Sequence, residues 1–179
     1  MGTVDGIRSS GKVTVLVEGA LCVALSMVFS YLKLFSMPYG GSITLEMAPL
    51  FYFSYRRGWR WGTLAGGLSG LLQMLLGGYV VHPAQAILDY PLAFACTGAV
   101  GVFVKSPPMT VCGTVAAGLL RLLCHVLSGV IFFSSYAPEG QNPWAYSIIY
   151  NVSFLAPSLV MSGALAWALW RKFAKNAAA

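Results

Sequence analysis

Apolar residues along the chain fall into six long runs, and stretches rich in polar residues, Gly and Pro separate them. Most of these runs hold the ~20 residues that a helix needs to cross a hydrocarbon core about 30 Å thick. The second run is shorter and contains Pro49, so it crosses only if it is tilted or broken at that residue. The pattern predicts membrane helices over residues 13–33, 43–55, 60–78, 84–104, 108–133 and 144–170.

Lys and Arg residues are divided unequally between the two sides of the predicted helices. If the chain crosses six times, both termini and the second and fourth loops share one side, which carries nine Lys and Arg residues, whereas the other carries only Lys33. Cytoplasmic loops carry the excess of Lys and Arg. We therefore predict an all-α, polytopic membrane protein with six transmembrane helices and both termini cytoplasmic. The nine residues are Arg8, Lys12, Arg56, Arg57, Arg60, Lys105, Arg171, Lys172 and Lys175.

The composition agrees with a lipid environment. Hydrophobic residues make up 58% of the 179 residues and charged residues 9%, against roughly 45–50% and about 25% in soluble domains. We expect a single membrane domain, with a polar tail over residues 1–12, a helix bundle over 13–172 and a C-terminal tail over 173–179. The net charge of +6 does not indicate nucleic-acid binding, because the basic residues cluster at the ends of apolar runs.

Three polar residues lie deep in this topology. At a rise of about 1.5 Å per residue, Asp89 lies ~7 Å below the outer surface, Asn151 ~10 Å and His125 ~12 Å. Ionisable residues inside a membrane cost about 2.5–3.5 kcal/mol on insertion scales, and they usually face a partner or a cavity. The three side chains therefore either bond one another to fix helix packing or line a binding site together.

Aromatic residues crowd the same level. Such residues often form a belt at the membrane interface without any ligand, but Tyr146, Tyr150 and Asn151 share one helical face. A carboxylate, an imidazole, an amide and several rings suit a ligand with a hydrogen-bonding heterocycle and a positive charge. The aromatic residues at this level are Tyr39, Tyr79, Tyr90, Phe132, Phe133, Tyr136, Trp144, Tyr146 and Tyr150.

A family resemblance rests on three stretches, "PYGGSITLEMAPLFYFSYRRG", "GGYVVHPAQAILDYPLAF" and "HVLSGVIFFSSYAPEGQNPWAYSIIYN". Together they resemble the thiamine-specific S components of energy-coupling factor (ECF) transporters, the ThiT family. The resemblance covers most of the chain, residues 15–172, and the "LDYPLAF" stretch is specific. It implies a six-helix, multi-pass protein of a prokaryotic plasma membrane that binds thiamine near the outer face.

The resemblance also implies roles for individual residues. Asp89 would accept a hydrogen bond from the exocyclic amino group of thiamine, and His125 and Asn151 would contact the aminopyrimidine. This chain departs from the family in having smaller rings where members carry tryptophan, and an aspartate where some members carry glutamate. The implied aromatic residues are Tyr146 and Tyr90 as lining, Phe133 and Tyr39 as stacking partners, and Tyr79 as a further wall.

The resemblance implies partner subunits as well. The chain has no G-x-x-x-x-G-K-[ST] phosphate loop, so it does not hydrolyse ATP by that motif. We therefore expect a binding protein without enzyme activity or cofactor, coupled to a transmembrane coupling subunit and two ATPase subunits. Ala20 and Ala24 form a small-x-x-x-small row that allows close helix approach. The family docks the coupling subunit on such a row, and packing within the chain is the alternative.

Several residues are not explained by this scheme. Gly62, Gly66 and Gly70 form a second row of small residues, which we interpret as internal packing. The four cysteines lie in apolar stretches without a C-x-x-C pair, so we expect small buried hydrophobes.

Two charged residues lie within apolar runs. We expect Glu18 to pair with Lys12 or with a partner protein, and Arg121 to pair with Asp89 or Glu46. Because a cation beside a cationic ligand is unfavourable, we also expect Arg121 to point away from the site.

Other functions stay open at the level of sequence. An S component for another vitamin, such as riboflavin or hydroxymethylpyrimidine, would have the same architecture. An intramembrane hydrolase using Asp89 and His125 belongs to a different class. Against it stand the absence of H-E-x-x-H and G-x-S-x-G motifs and of a second acid at similar depth. A purely structural membrane subunit is the third alternative.

Overall fold

The computed structural model describes residues 3–176, with the side chains of residues 3–10, Tyr39 and residues 174–176 left undescribed. The described part is almost entirely helical. Its α-helices are α1 (Thr3–Tyr31), α2 (Met47–Arg57), α3 (Trp59–Leu75), α4 (Pro83–Ile87), α5 (Ala93–Ala95), α6 (Pro107–Phe132) and α7 (Pro143–Asn176). Two short strands, β1 (Phe35–Ser36) and β2 (Ser42–Ile43), and 3-10 helices at Pro38–Gly40, Cys96–Val102 and Ser134–Tyr136 complete it, with a π-helical turn at Leu88–Leu92.

Each of the six predicted runs contains helix. Within the described residues, four segments are long and apolar enough to cross a membrane. Helix α1 already begins at Thr3, inside the predicted polar tail, and α7 continues to Asn176, inside the predicted C-terminal tail. The chain is therefore an all-α protein with several membrane-length helices. The four segments are Gly11–Tyr31, Pro83–Val102, Pro107–Phe132 and Pro143–Phe173.

The second predicted helix, over residues 43–55, starts later than predicted and is not broken at Pro49. Residues 42–43 form β2, and α2 has 11 residues, so it is ~16 Å long. Pro49 is its third residue and does not interrupt it, because the first N–H groups of a helix have no intrahelical partner. Both faces of α2 are covered, since Met47 and Phe51 are buried on one face and Pro49 and Phe53 on the other. Helix α2 is a core helix shorter than a bilayer.

The fourth predicted helix is irregular. Helix α4 passes into the π-helical turn, then into α5 and a 3-10 helix that ends at Val102. Pro91 lies inside the π-helical turn. Proline has no N–H to donate to the preceding turn and crowds it, which favours a widened turn at this point. The turn carries Asp89 and Tyr90.

Helix α3 packs against this irregular segment through its glycine row. A Cβ atom at Gly66 would clash with the carbonyl of Phe94, and one at Gly70 would clash with the carbonyl of Tyr90. At both positions only glycine lets the two backbones approach so closely. The row, with Gly62 beside Ser54, is therefore an internal packing surface, as the sequence indicated.

A short hairpin lies across α7. Strands β1 and β2 pair antiparallel, and the 3-10 helix between them turns the chain. Gly41 packs directly on the ring of Phe154, where a Cβ atom would lie 2.6 Å from a ring carbon. Its N–H donates to the hydroxyl of Tyr150 at 3.1 Å, and that hydroxyl donates to the carbonyl of Pro38. Tyr150 thus ties the hairpin to α7.

Candidate functional site

A cavity of about 640 Å³ lies between α1, the π-helical turn, α6 and α7, next to the hairpin and the segment before α2. Seven of the eight predicted site residues line it. The eighth, Tyr39, has a side chain outside the described residues, although its neighbours Gly40 and Gly41 line the cavity. The seven residues are Tyr79, Asp89, Tyr90, His125, Phe133, Tyr146 and Asn151.

Asp89 is the centre of a hydrogen-bonded cluster. His125 Nδ1 lies 3.0 Å from Asp89 Oδ1, while the Ser128 hydroxyl and the Gln85 amide donate to Oδ2 at 2.7 Å and 2.8 Å. Hydrogen bonds to a charged group contribute about 1.5–3 kcal/mol each, so these donors offset the lost hydration of the carboxylate. The Asp89 side chain keeps 17% of its surface exposed. The carboxylate is therefore held in place and still reaches the cavity.

Asn151 enters the same cavity from α7 with other partners. Its amide nitrogen donates to the carbonyl of Ser147 at 2.9 Å and lies 3.3 Å from the Ser147 hydroxyl. The residue is buried, with 7% of its surface exposed. The sequence left open that the three polar side chains hydrogen-bond one another. Asp89 and His125 do so, whereas Asn151 is oriented by its own helix.

Aromatic rings form two walls of the cavity. Tyr79 and Phe133 stack with centroids 6.2 Å apart, and Tyr146 and Tyr150 stack at 6.1 Å. The hydroxyl of Tyr90 accepts a hydrogen bond from the backbone N–H of Tyr79 at 2.6 Å, which ties the loop after α3 to the π-helical turn. Aromatic surfaces of this kind suit a flat or cationic ligand.

Gln85 and Ser128 are site residues that the sequence reasoning missed. Both are buried, and both contact the Asp89 carboxylate. A helical-spacing signal was present, since Gln85 is one turn before Asp89 and Ser128 follows His125 by three residues. Ser147, which orients Asn151 from four residues earlier, was missed in the same way.

Arg121 pairs with Glu46, one of the two partners expected for it. Its Nη2 lies 2.8 Å from Glu46 Oε1, and its Nε donates to His125 Nε2 at 3.4 Å. The expectation that Arg121 points away from the site is wrong, because it lines the cavity. Glu46, next to the first turn of α2, and the ring of Phe94, 3.9 Å from the guanidinium carbon, hold it there.

Glu18 pairs with two arginines at the end of α2 and not with Lys12, the partner expected within the chain. Arg57 binds it through two atoms at 2.6 Å and 2.7 Å, and Arg56 lies 3.6 Å away. The two-point geometry of a guanidinium with a carboxylate makes this a strong pair. It joins α1 to α2.

The cysteines are all free thiols, and they are less uniformly buried than expected. Cys124 is buried, Cys22 and Cys96 are half-buried, and Cys112 is exposed on α6. An exposed apolar side chain is ordinary for a helix that faces lipid, because burial within the chain is not needed there.

Ala20 and Ala24 are both exposed on α1. The alternative that these residues pack against another helix of this chain is therefore wrong for the described structure. Only 22% of the residues in the most apolar stretch of α1 are buried, so most of this helix faces outward. Exposed apolar neighbours on it include Leu16, Val17, Leu21, Leu25 and Val28.

Comparisons with known proteins agree with one another. The family model described as Thiamine transporter protein (Thia_YuaJ) matches residues 16–178. The chain is 35% identical over 171 residues to the thiamine transporter ThiT of Bacillus subtilis, covering 87% of this chain and 89% of that protein. It is 29% identical over 157 residues to ThiT of Lacticaseibacillus paracasei, covering 78% of each.

Two solved structures share the fold. ThiT from Listeria monocytogenes matches with a TM-score of 0.82 and 29% identity, over 92% of this chain and 97% of that one. The S component of a bacterial ECF transporter matches over the same shares with a TM-score of 0.64 and 14% identity, a likeness of fold alone. With the family model spanning nearly the whole chain, the resemblance found in the sequence is confirmed: the chain belongs to the thiamine transporter protein family.

Proposed function

We propose that this chain is the S component of an ECF-type importer and captures thiamine at the outer side of the membrane. The observation that carries the proposal is one cavity in which Asp89, His125 and Asn151 meet two aromatic walls. Its volume of about 640 Å³ lies in the range of roughly 300–1,000 Å³ typical of small-molecule sites. Membership of the thiamine transporter family supports the choice of ligand.

The chemistry of thiamine suits this cavity. Its aminopyrimidine offers an exocyclic amino group and ring nitrogens, which match a carboxylate acceptor and the donors of His125 and Asn151. Its thiazolium ring is flat and positively charged, so aromatic faces and a nearby carboxylate both attract it. In this proposal Asp89 receives the amino group, Tyr146 and Tyr90 line the site, and Phe133 stacks on the ligand beside Tyr79. Tyr39 would close the stack from the hairpin.

The proposal includes six crossings with both termini cytoplasmic. Arg56, Arg57 and Arg60 then lie on the inner side, and the hairpin and the cavity mouth lie on the outer side. Energy comes from partners, a transmembrane coupling subunit and two ATPases, because the sequence has no phosphate loop of its own. The coupling subunit would dock on the exposed row of Ala20 and Ala24.

The proposal is tested by calorimetric titration of the detergent-solubilised protein with thiamine, hydroxymethylpyrimidine and riboflavin in separate experiments. We expect saturable one-to-one binding of thiamine, and weaker binding of hydroxymethylpyrimidine because it lacks the cationic ring. If riboflavin or hydroxymethylpyrimidine bound more tightly than thiamine, that vitamin would be the substrate and the proposal of thiamine would be wrong. Chemically altered thiamine after long incubation would favour the intramembrane hydrolase, and binding of none of the three would favour a structural subunit.

A further inference from the structure

Four ionisable side chains form a continuous chain of contacts along the floor of the cavity. Glu46 contacts Arg121 at 2.8 Å, Arg121 contacts His125 at 3.4 Å, and His125 contacts Asp89 at 3.0 Å. The chain runs from the start of α2, across α6, to the π-helical turn. All four residues line the cavity, so their summed charge acts on whatever the cavity holds.

Arg121 is a buried cation within this chain, with 4% of its surface exposed. A buried charge without a partner is strongly unfavourable. Glu46 supplies the compensating charge, and its own side chain keeps only 12% of its surface exposed. The hydroxyl of Ser26 donates to the backbone carbonyl of Glu46 at 2.8 Å, so α1 helps to fix the position of the acid.

The contact between Arg121 and His125 also sets the tautomer of the imidazole. A guanidinium has only donors, so the Nε2 atom of His125 accepts from Arg121 and carries no proton. The ring proton then sits on Nδ1 and is donated to Asp89 Oδ1. The imidazole is neutral in this arrangement. The four residues therefore sum to one negative charge, because Glu46 and Arg121 cancel and Asp89 is left over.

We propose that Glu46 is a specificity residue, which makes the cavity select a cation by cancelling the charge of Arg121. It does not touch the ligand in this role. Without Glu46 the guanidinium would cancel Asp89 instead, and the floor would attract a cation no more than a neutral molecule of the same shape. Lys33 also lines the cavity, but it is exposed, so water screens its charge. The inference rests on the proposed function for the identity of the cationic ligand.

The test compares two ligands that differ only in charge. They are thiamine and an uncharged analogue in which a carbon atom replaces the quaternary nitrogen of the thiazolium ring. The measured quantity is the selectivity ratio, the Kd of the analogue divided by the Kd of thiamine. At an effective permittivity of about 20, a unit charge about 10 Å away changes the affinity of a cation about tenfold. We expect Glu46→Gln to lower the ratio by about tenfold.

The double variant Glu46→Gln/Arg121→Gln separates this role from a structural one. It removes both charges and leaves Asp89 alone, so we expect the selectivity ratio to return to within about twofold of the original. If the ion pair only joined α2 to α6, the single and double variants would weaken both ligands alike and leave the ratio unchanged, which would overturn the inference. Glu18→Gln is the matched control, since it removes an acid from another ion pair outside the cavity.

A loss of folding does not end the test. If Glu46→Gln alone elutes as an aggregate in size-exclusion chromatography, Arg121→Gln is compared with the double variant Glu46→Gln/Arg121→Gln. These two proteins differ only in the charge at residue 46. A lower ratio in the double variant supports the inference, and an equal ratio contradicts it. The proposed function fails separately, when the unsubstituted protein binds no thiamine at all.

Discussion

Asp89 lies in an apolar stretch, and its neighbours make a charge tolerable there. Placing an acid in a membrane segment costs about 2.5–3.5 kcal/mol on insertion scales, and three side chains on two elements converge on its oxygens. Those neighbours are specific to a carboxylate, because each of them has a proton to donate. A side chain of the same size with its own donors does not fit among them.

Asp89→Asn tests this residue directly. Asparagine keeps the shape but removes the charge and directs an NH2 group at one of the surrounding donors, so we expect the Kd of thiamine to rise at least about tenfold. Calorimetric titration gives the Kd, and size-exclusion chromatography reports folding. Glu139→Gln is the matched control, because it makes the same change at an exposed acid outside the cavity. A Kd within twofold of the original would contradict the role of Asp89.

At the scale of elements, the π-helical turn is held in place by α3. Glycines at the spacing of one helical turn let α3 touch the backbone that carries Tyr90 and Phe94. The site is therefore positioned by contacts between backbones, which vary less than contacts between long side chains.

Gly70→Ala tests this packing. Its added methyl group would clash with the carbonyl of Tyr90 and force the helices apart, at a cost of about 1–3 kcal/mol. We expect a lower apparent Tm in detergent and weaker thiamine binding. Gly67→Ala is the matched control on the same helix, where a Cβ atom would be 3.8 Å from its nearest neighbour. Equal Tm values for the two variants would contradict the packing argument.

The hairpin of β1 and β2 is the second element that affects the cavity. Tyr150 holds it through two hydrogen bonds, to Gly41 and to Pro38, and its ring also belongs to an aromatic wall. The hydroxyl and the ring thus have separable roles, one in fixing the hairpin and one in lining the cavity.

Tyr150→Phe removes the hydroxyl and keeps the ring. Because two hydrogen bonds of about 0.5–1.5 kcal/mol each are lost, we expect thiamine to dissociate at least about fivefold faster in stopped-flow experiments. Tyr52→Phe serves as the control, since its hydroxyl contacts Arg56 away from the cavity. An unchanged dissociation rate for Tyr150→Phe would show that the hairpin does not limit release.

At the scale of the whole molecule, α1 is the least embedded of the four membrane-length segments. Only 22% of the residues in its most apolar stretch are buried, against 39% in the segment Pro83–Val102. Glu18 and its two arginines hold α1 near its middle, and Ser26 contacts Glu46 and Ser69 further along. The opposite face is apolar and contains Ala20 and Ala24, where another helix can approach closely.

Ala24→Trp tests the docking of the coupling subunit. The large ring would block close approach of a partner helix, so we expect uptake in cells carrying the whole transporter to fall at least about tenfold. Thiamine binding by the isolated protein should stay within twofold. Val160→Trp, at a residue of α7 that is 70% exposed, is the control for a bulky side chain in lipid. Equal uptake by both variants would show that the coupling subunit does not dock on the alanine row.

The sequence by itself determined the class of this protein and most of its candidate site. Length and apolarity of a segment are one-dimensional properties, so α6 could be predicted close to its observed bounds, as could the end of α1 and the start of α7. Asp89, His125 and Asn151 stood out because a polar residue in an apolar run is visible without any structure. Their lining of one cavity followed from similar depths in neighbouring helices.

Only the tertiary structure decided which partners these residues have. The sequence left two possible partners for Arg121, Asp89 and Glu46. The position of α2 places Glu46 against it. Glu18 found Arg57, 39 residues away, because α1 and α2 lie side by side. Hydrogen bonds and ion pairs depend on distances of a few ångströms between distant parts of the chain. Such distances arise from packing, and no spacing along the sequence encodes them.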